Sequence, residues 1–171
     1  MISITSTATV RAPRRLSFVD LTPQLEDALA TTGLTEGLLV AFCRHTTCGL
    51  LVNEWEDGAQ EDLLRRLALL VPDRGYFAHD DLDRRTQNLV PDERANGRAH
   101  VVQMLLGGSS QVIPVSGGIP LLGRWQRLFL LELDEPKDRS VVFQTVGSHI
   151  EANDPDLPRL NPWTEQLERS R

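Results

Sequence analysis

The sequence predicts one α+β domain of mostly antiparallel strands with two or three helices. Three observations lead there. Residues 57–71 repeat apolar side chains at helical spacing, with Ala59, Leu63, Leu64, Leu67, Leu70 and Val71 on one stripe. Residues 36–44 form a short, nearly continuous apolar run of strand length. The last third, from Ser110, is rich in β-branched and aromatic residues broken by turn signals. A chain of 171 residues fits one domain and buries a core without staples. Its 40% hydrophobic and 25% charged residues are ordinary globular usage.

The elements follow in order. Residues 2–10 alternate Ile2 and Ile4 with Ser3 and Thr5, which predicts a strand, and residues 16–19 a second. Thr22 before Pro23 reads as an N-cap, Leu25, Ala28 and Leu29 as the apolar face, and Gly33 as the stop of a short helix. In the strand at 36–44, Leu39, Ala41, Cys43 and His45 share one side, and both faces are expected to be covered. Residues 49–53 make the next strand, so the segment 45–48 is a turn. Asp57 with Gln60 resembles a capping box for the long helix, Glu61/Arg65 and Asp62/Arg66 are i,i+4 pairs, and Pro72 ends it.

Residues 73–95 are polar and aperiodic; a loop of that length is usually functional or mobile. Asn96 is placed to cap a helix to Leu106, with Val102, Leu105 and Leu106 facing inward. Residues 110–115 and Leu121-Leu122 are read as a hairpin through Ser116-Gly117-Gly118. Residues 125–134 and 139–147 are read as a second hairpin through residues 135–138. The domain is therefore 1–147, and 148–171, with Pro155, Pro158 and Pro162, is an extended tail.

A net charge of −6 without a Lys/Arg block argues against nucleic acid and against an anionic membrane surface. No apolar run reaches membrane-spanning length, and the first residues lack a signal-peptide pattern. Two cysteines without an export signal are expected to be reduced thiols. Together these point to a cytoplasmic protein.

Chemistry concentrates on few residues. His45, His79 and His100 come from separate elements, a layout known from catalytic metal sites with three protein ligands. Asp80 or Asp81 could orient a ring. The plainer reading is three unrelated histidines with their own hydrogen bonds. Cys43, His45 and Cys48 suggest a metal cluster but lack a fourth ligand, and small buried thiols are the simpler account. Asn53-Glu54, between a strand and a helix, offers a general base or merely a helix-terminus charge. Ser109, in a glycine-rich turn, offers anion contacts or simple turn chemistry. Trp125 opens a strand, with Arg124 and Gln126 on its opposite side.

The segments His45-Thr46-Thr47-Cys48-Gly49-Leu50, Asn53-Glu54, Asp62, Tyr76-Phe77-Ala78-His79-Asp80-Asp81, Asn96-Gly97-Arg98-Ala99-His100 and Gly123-Arg124-Trp125-Gln126 occur in one order. In this the chain resembles the YjbQ family over residues 2–147. The resemblance implies an α/β sandwich assembling as a homotrimer, and together with the apolar runs 38–43 and 128–133 it predicts pockets near the subunit boundaries. It implies a divalent metal ion, zinc or magnesium, on His45, His79 and His100, with Asn53, Glu54, Asn96 and Gln126 nearby. It also implies weak activity of the secondary thiamine-phosphate synthase kind, joining a pyrimidine pyrophosphate to a thiazole phosphate.

On that reading the partner is a phosphorylated small molecule held by Thr46, Thr47, Asn96, Ser109, Arg124 and Gln126, with Glu54 and Asn53 catalytic. A metal-dependent hydrolase and a non-enzymatic trimeric metal or small-molecule binder are the alternatives. The turn departs from the His-Thr-Ser-Ala that many members resemble, and Cys48 adds a thiol there.

Overall fold

The computed structural model describes residues 1–149. Chain order is β1 (Ile2–Arg11), β2 (Ser17–Asp20), α1 (Thr22–Ala30), β3 (Glu36–Cys43), β4 (Cys48–Glu54), α2 (Asp57–Leu70), a 3-10 turn (Ala78–Asp80), α3 (Gly97–Leu106), β5 (Ser110–Ser116), β6 (Ile119–Pro120), β7 (Gln126–Glu132) and β8 (Asp138–Ser148). The strands form two antiparallel sheets, a five-stranded one in the order β1-β8-β3-β5-β6 and a three-stranded one in the order β2-β7-β4. The expected α+β sandwich is present. Of the predicted tail, Ser148 belongs to β8, and residues 150–171 lie outside the described residues.

Strand periodicity sets the layers. On β7, Leu128 and Leu130 face the larger sheet and pack with Leu39, Ala41, Ile113, Val141 and Phe143. Leu131 and the following Leu133 turn the other way, towards Leu67 and Val71 of the α2 region and Ala99 and Val102 of α3. The three-stranded sheet is thus a middle layer, buried on both faces, each full leucine burial contributing about 1.5–3 kcal/mol. α1 packs with the inter-sheet core through Leu25, Ala28 and Leu29.

Several expectations are corrected by these layers. Only one face of β3 is covered: Leu39, Ala41 and Cys43 are buried, but Leu38 and Phe42 are each 45% exposed. The helices serve the middle sheet and leave the outer face of the larger one bare. Residues on the two sides of the 133–137 connection do not form a hairpin, because β7 and β8 belong to different sheets. β3 and β4 likewise belong to different sheets, so both connections cross between layers.

The small hairpin partner of β5 is Ile119–Pro120 rather than Leu121-Leu122. Leu105 of α3 and Leu70 of α2, assigned to buried stripes, are 63% and 73% exposed.

The caps of α1 and α2 shift by one residue, while Asn96 holds the cap position of α3 as expected. Thr22 is the first helical residue of α1, and its N–H donates to the Asp20 carboxylate at 2.9 Å. The α2 cap is Glu56, whose carboxylate accepts from the N–H groups of Gly58 and Ala59 at 2.7 Å each. Among the described residues no helix is long and apolar enough to cross a membrane.

Candidate functional site

The long polar segment earns its order through one carboxylate. Oδ1 of Asp80 accepts the N–H groups of Asn96 and Gly97 at 2.9 and 2.8 Å. It satisfies the amino end of α3, which the Asn96 side chain does not cap. Asp80 therefore holds the 3-10 turn on the helix rather than orienting a ring, while Asp81 accepts from the Tyr76 hydroxyl. Gly97 is required by this contact: a Cβ there would lie 2.7 Å from Cβ of Phe77 and 3.1 Å from the Asp80 oxygen. Arg98, buried beside it, donates to the Val71 carbonyl at 2.7 Å and ties α3 to the end of α2.

This clamp brings His79 and His100 together, with ring centroids 4.3 Å apart and planes tilted by 51°. A guanidinium only donates, so the 3.2 Å contact from Arg85 makes Nε2 of His79 the acceptor. Arg85 in turn pairs with Glu93 at 2.7 Å. Burial, then the neighbouring His79 and Arg85, holds His100 below the ordinary imidazole value.

Asn96 reaches Asp134 through Nδ2 at 3.4 Å, while its Oδ1 is buried without a partner. Burial works to raise the Asp134 carboxyl, but Lys137 at 2.8 Å, Asn96 and Arg139 bring it below its usual value.

His45 meets the same connection between β7 and β8 at its β8 end. The Ser140 N–H donates to its Nε2 at 2.8 Å. Burial first, and the positive Arg139 second, lower its pKa. The turn is pinned from beneath: the Thr47 carbonyl accepts from the Leu133 N–H at 3.2 Å and from Arg139 at 3.4 Å. Arg139 is itself locked in a fully buried ion pair with Glu132, its Nε 2.7 Å from the carboxylate. Thr46 is exposed and Thr47 buried.

The remaining residues of the expected site lie elsewhere. Glu54 is six residues along β4 from Cys48, about 20 Å at strand rise. There Asn53 and Glu54 pair with Arg127 and Gln126 of β7. The Gln126 side chain closes a turn by accepting from the Gly123 N–H at 2.7 Å. Arg124 and Trp125 lie in the turn before β7, so strand alternation does not separate them: Arg124 stacks on the Trp125 ring at 4.6 Å instead of facing the opposite side, Trp125 is 62% exposed, and no carboxylate pairs with Arg124 among the described residues. Ser109 sits past the carboxyl end of α3, where its hydroxyl accepts from Gln103 at 2.8 Å, and its carbonyl accepts from the Cys43 N–H at 2.8 Å, two residues before His45.

One chain thus separates the expected residues into a histidine end, with His45, Thr46, Thr47, His79, Asn96 and His100, and a tryptophan end, with Asn53, Glu54, Arg124 and Gln126.

Among the described residues no three His, Cys, Asp or Glu side chains are gathered at metal-binding spacing. The lone pairs of Nε2 on His45 and His79 are engaged by Ser140 and Arg85, which leaves the hydrogen of a neutral ring on Nδ1. The ligand set does not fit a metal ion in this arrangement of a single chain.

Asp134, Lys137, Glu132 and Arg139 were missed by sequence reasoning. They sit in what looks like an ordinary hairpin, and only the crossing between sheets gives them their place.

A family model described as UPF0047 protein YjbQ-like matches residues 6–148. A UPF0047 protein of Archaeoglobus fulgidus is 35% identical over 138 residues, covering 81% of this chain and 98% of that protein. The UPF0047 protein YugU of Bacillus subtilis is 32% identical, covering 82% and 98%. Among solved structures, a YbjQ-like protein of unknown function from Sulfolobus solfataricus superposes with a TM-score of 0.74 at 29% identity, covering 86% of this chain and 99% of that one. A hypothetical protein from Aeropyrum pernix gives 0.74 at 35% identity, covering 85% and 99%.

Proposed function

We propose, for a chain that belongs to the UPF0047 YjbQ-like family, that it is a small-molecule enzyme acting on a phosphorylated, ring-containing substrate in a cleft completed by a second copy. The observation that carries this reading is Arg124 on Trp125. The indole holds a guanidinium in place without consuming its N–H groups, and the exposed ring leaves a stacking face. That pairing suits a phosphate attached to a flat heterocycle. Proton transfer would fall to groups of the histidine end and to Glu54, and Arg124 would stabilise charge gathering on a departing phosphate or pyrophosphate.

The homotrimer belongs to the same proposal. The outer face of the larger sheet exposes Leu38, Phe42 and Val112 on neighbouring strands, a continuous apolar patch that a second copy would cover. In the closed ring of three that we propose, one copy's tryptophan end meets the next copy's histidine end. A divalent ion would require His45 to leave Ser140 and His79 to leave Arg85. Metal analysis of purified protein beside His45→Ala, His79→Ala and His100→Ala tests that; equal metal content in all four removes the ion from the reading.

Thiamine-phosphate synthesis is the first reaction to assay, followed by a panel of phosphate esters. Condensation separates the transferase from the hydrolase, and ligand binding without turnover identifies a binding protein. Arg124→Ala is expected to raise KM for the phosphorylated substrate at least tenfold, by loss of a charge-assisted contact of about 1.5–3 kcal/mol. Unchanged kinetics in both Arg124→Ala and Trp125→Ala would remove this platform from the site.

A further inference from the structure

Cys43 closes β3 and Cys48 opens β4, so the two thiols lie in different sheets and face each other across the inter-sheet core. Their sulfurs are 3.2 Å apart, and the side chains are 2% and 0% exposed. They are also the two cysteines of the whole sequence. A disulfide needs the sulfurs at about 2.05 Å, so closing this pair takes a movement of only about 1 Å. The four residues between them, Arg44, His45, Thr46 and Thr47, already form a turn pinned by Arg139 and Ser140. The turn that a disulfide would close is therefore already formed.

We infer that Cys43 and Cys48 form a reversible redox site, a dithiol that hydroperoxides convert into a disulfide joining the two sheets beneath the His45 turn. Hydrogen peroxide is small enough to reach the sulfurs when the turn, exposed at Arg44 and Thr46, opens locally. One sulfur, as thiolate, attacks the peroxide O–O bond, becomes a sulfenic acid and releases hydroxide. The second sulfur attacks the first, the S–S bond forms, and the sulfenic oxygen leaves as water with the second thiol's proton. The sum is two thiols and one peroxide giving one disulfide and two waters. A dithiol reductant reverses it by thiol–disulfide exchange.

The oxidised chain carries His45 inside a covalent ring of residues 43–48. This is independent of which reaction the site performs.

The experiment uses the full chain and needs no substituted variant, so folding is not at issue. Native protein is treated with dilute hydrogen peroxide, denatured in excess alkylating agent and digested with trypsin without reductant. Cleavage after Arg15, Arg44 and Arg65 leaves Cys43 on peptide 16–44 and Cys48 on peptide 45–65. The expected result is loss of both alkylated peptides, their replacement by one disulfide-linked pair, an intact mass lighter by two hydrogens, and full recovery of the alkylated peptides after dithiothreitol. Full alkylation of both peptides after peroxide would overturn the inference. So would oxidation to sulfinic acid without linkage, or linkage found only between chains.

Discussion

β4 and β7 lie side by side, yet the chain treats their two ends differently. At the Cys48 end, several polar groups are consumed internally, although Asn96 Oδ1 is left without a partner. Arg139 lies in a buried pair with Glu132, Asp80 is spent on the α3 amino end, and His45 takes the Ser140 N–H. At the Glu54 end, Glu54, Arg124 and Trp125 stand in solvent, and Arg124 touches an indole instead of a carboxylate. A closed end holds geometry but has little left to offer; an open end can bind but is poorly positioned. In our reading the two are complementary halves that meet only between copies.

The largest effect tests that meeting directly. Glu54→Gln and His100→Ala should each lower turnover by about 10²–10⁴-fold, the usual contribution of a general acid or base. If the halves meet between copies, co-refolding the two inactive variants should restore a measurable fraction of turnover, because some mixed sites carry neither change. Two variants that are inactive alone and stay inactive when mixed would assign both residues to a site within one chain. A fully active Glu54→Gln would leave that carboxylate as a helix-terminus charge.

Next comes the closed end itself. Arg139→Ala leaves Glu132 buried and unpaired, at a cost of about 3–5 kcal/mol. Arg11→Ala, which breaks the exposed pair with Asp138, should cost about 0–1 kcal/mol. Chemical denaturation of both reads the contrast. Equal losses would mean that the Cys48 end is as wet as the surface.

This contrast also explains what the sequence could and could not reveal. Helices and strands were legible because periodicity is local: Leu39, Ala41 and Cys43 share the buried face that spacing assigns them, and Val102 is buried as expected although Leu105 beside it is not. The crossing between sheets was not legible. Residues 135–138 carry turn chemistry that suits a hairpin equally well, and only packing on both sides of β7 separates the strands. The Asp80 clamp was hidden for another reason, since its acceptor and donors are 16 and 17 residues apart. Of the candidate site, the residue types were readable from motifs, whereas their division between two ends is a property of strand direction.

A smaller effect probes the clamp. Gly97→Ala forces a Cβ onto Phe77 and Asp80, an overpacking cost of about 1–3 kcal/mol. Its signature should be local, a faster hydrogen exchange in the 3-10 turn and the first turn of α3 with β7 unchanged. A uniform loss across the molecule would show that the clamp is part of the global core rather than a support for His79 and His100.

The smallest effect concerns protons. Both His45 and His100 are held below the ordinary value of 6.5, chiefly by burial. A group whose folded pKa is depressed binds fewer protons when folded than when unfolded throughout the interval between the two values. Stability is therefore fully present above 6.5 and falls as pH drops from there through the lower folded values. The slope cannot exceed about 1.4 kcal/mol per pH unit for each such proton. Denaturation midpoints taken from above 6.5 downwards should decline, and His100→Gln should flatten the decline because a neutral amide has nothing to titrate. The carboxyl of Asp134, also depressed, adds its own loss as pH falls below its ordinary 3.8. A midpoint independent of pH between 6.5 and 3.8 would show that the histidine end is open to solvent, and the distinction between the two ends of β4 would go with it.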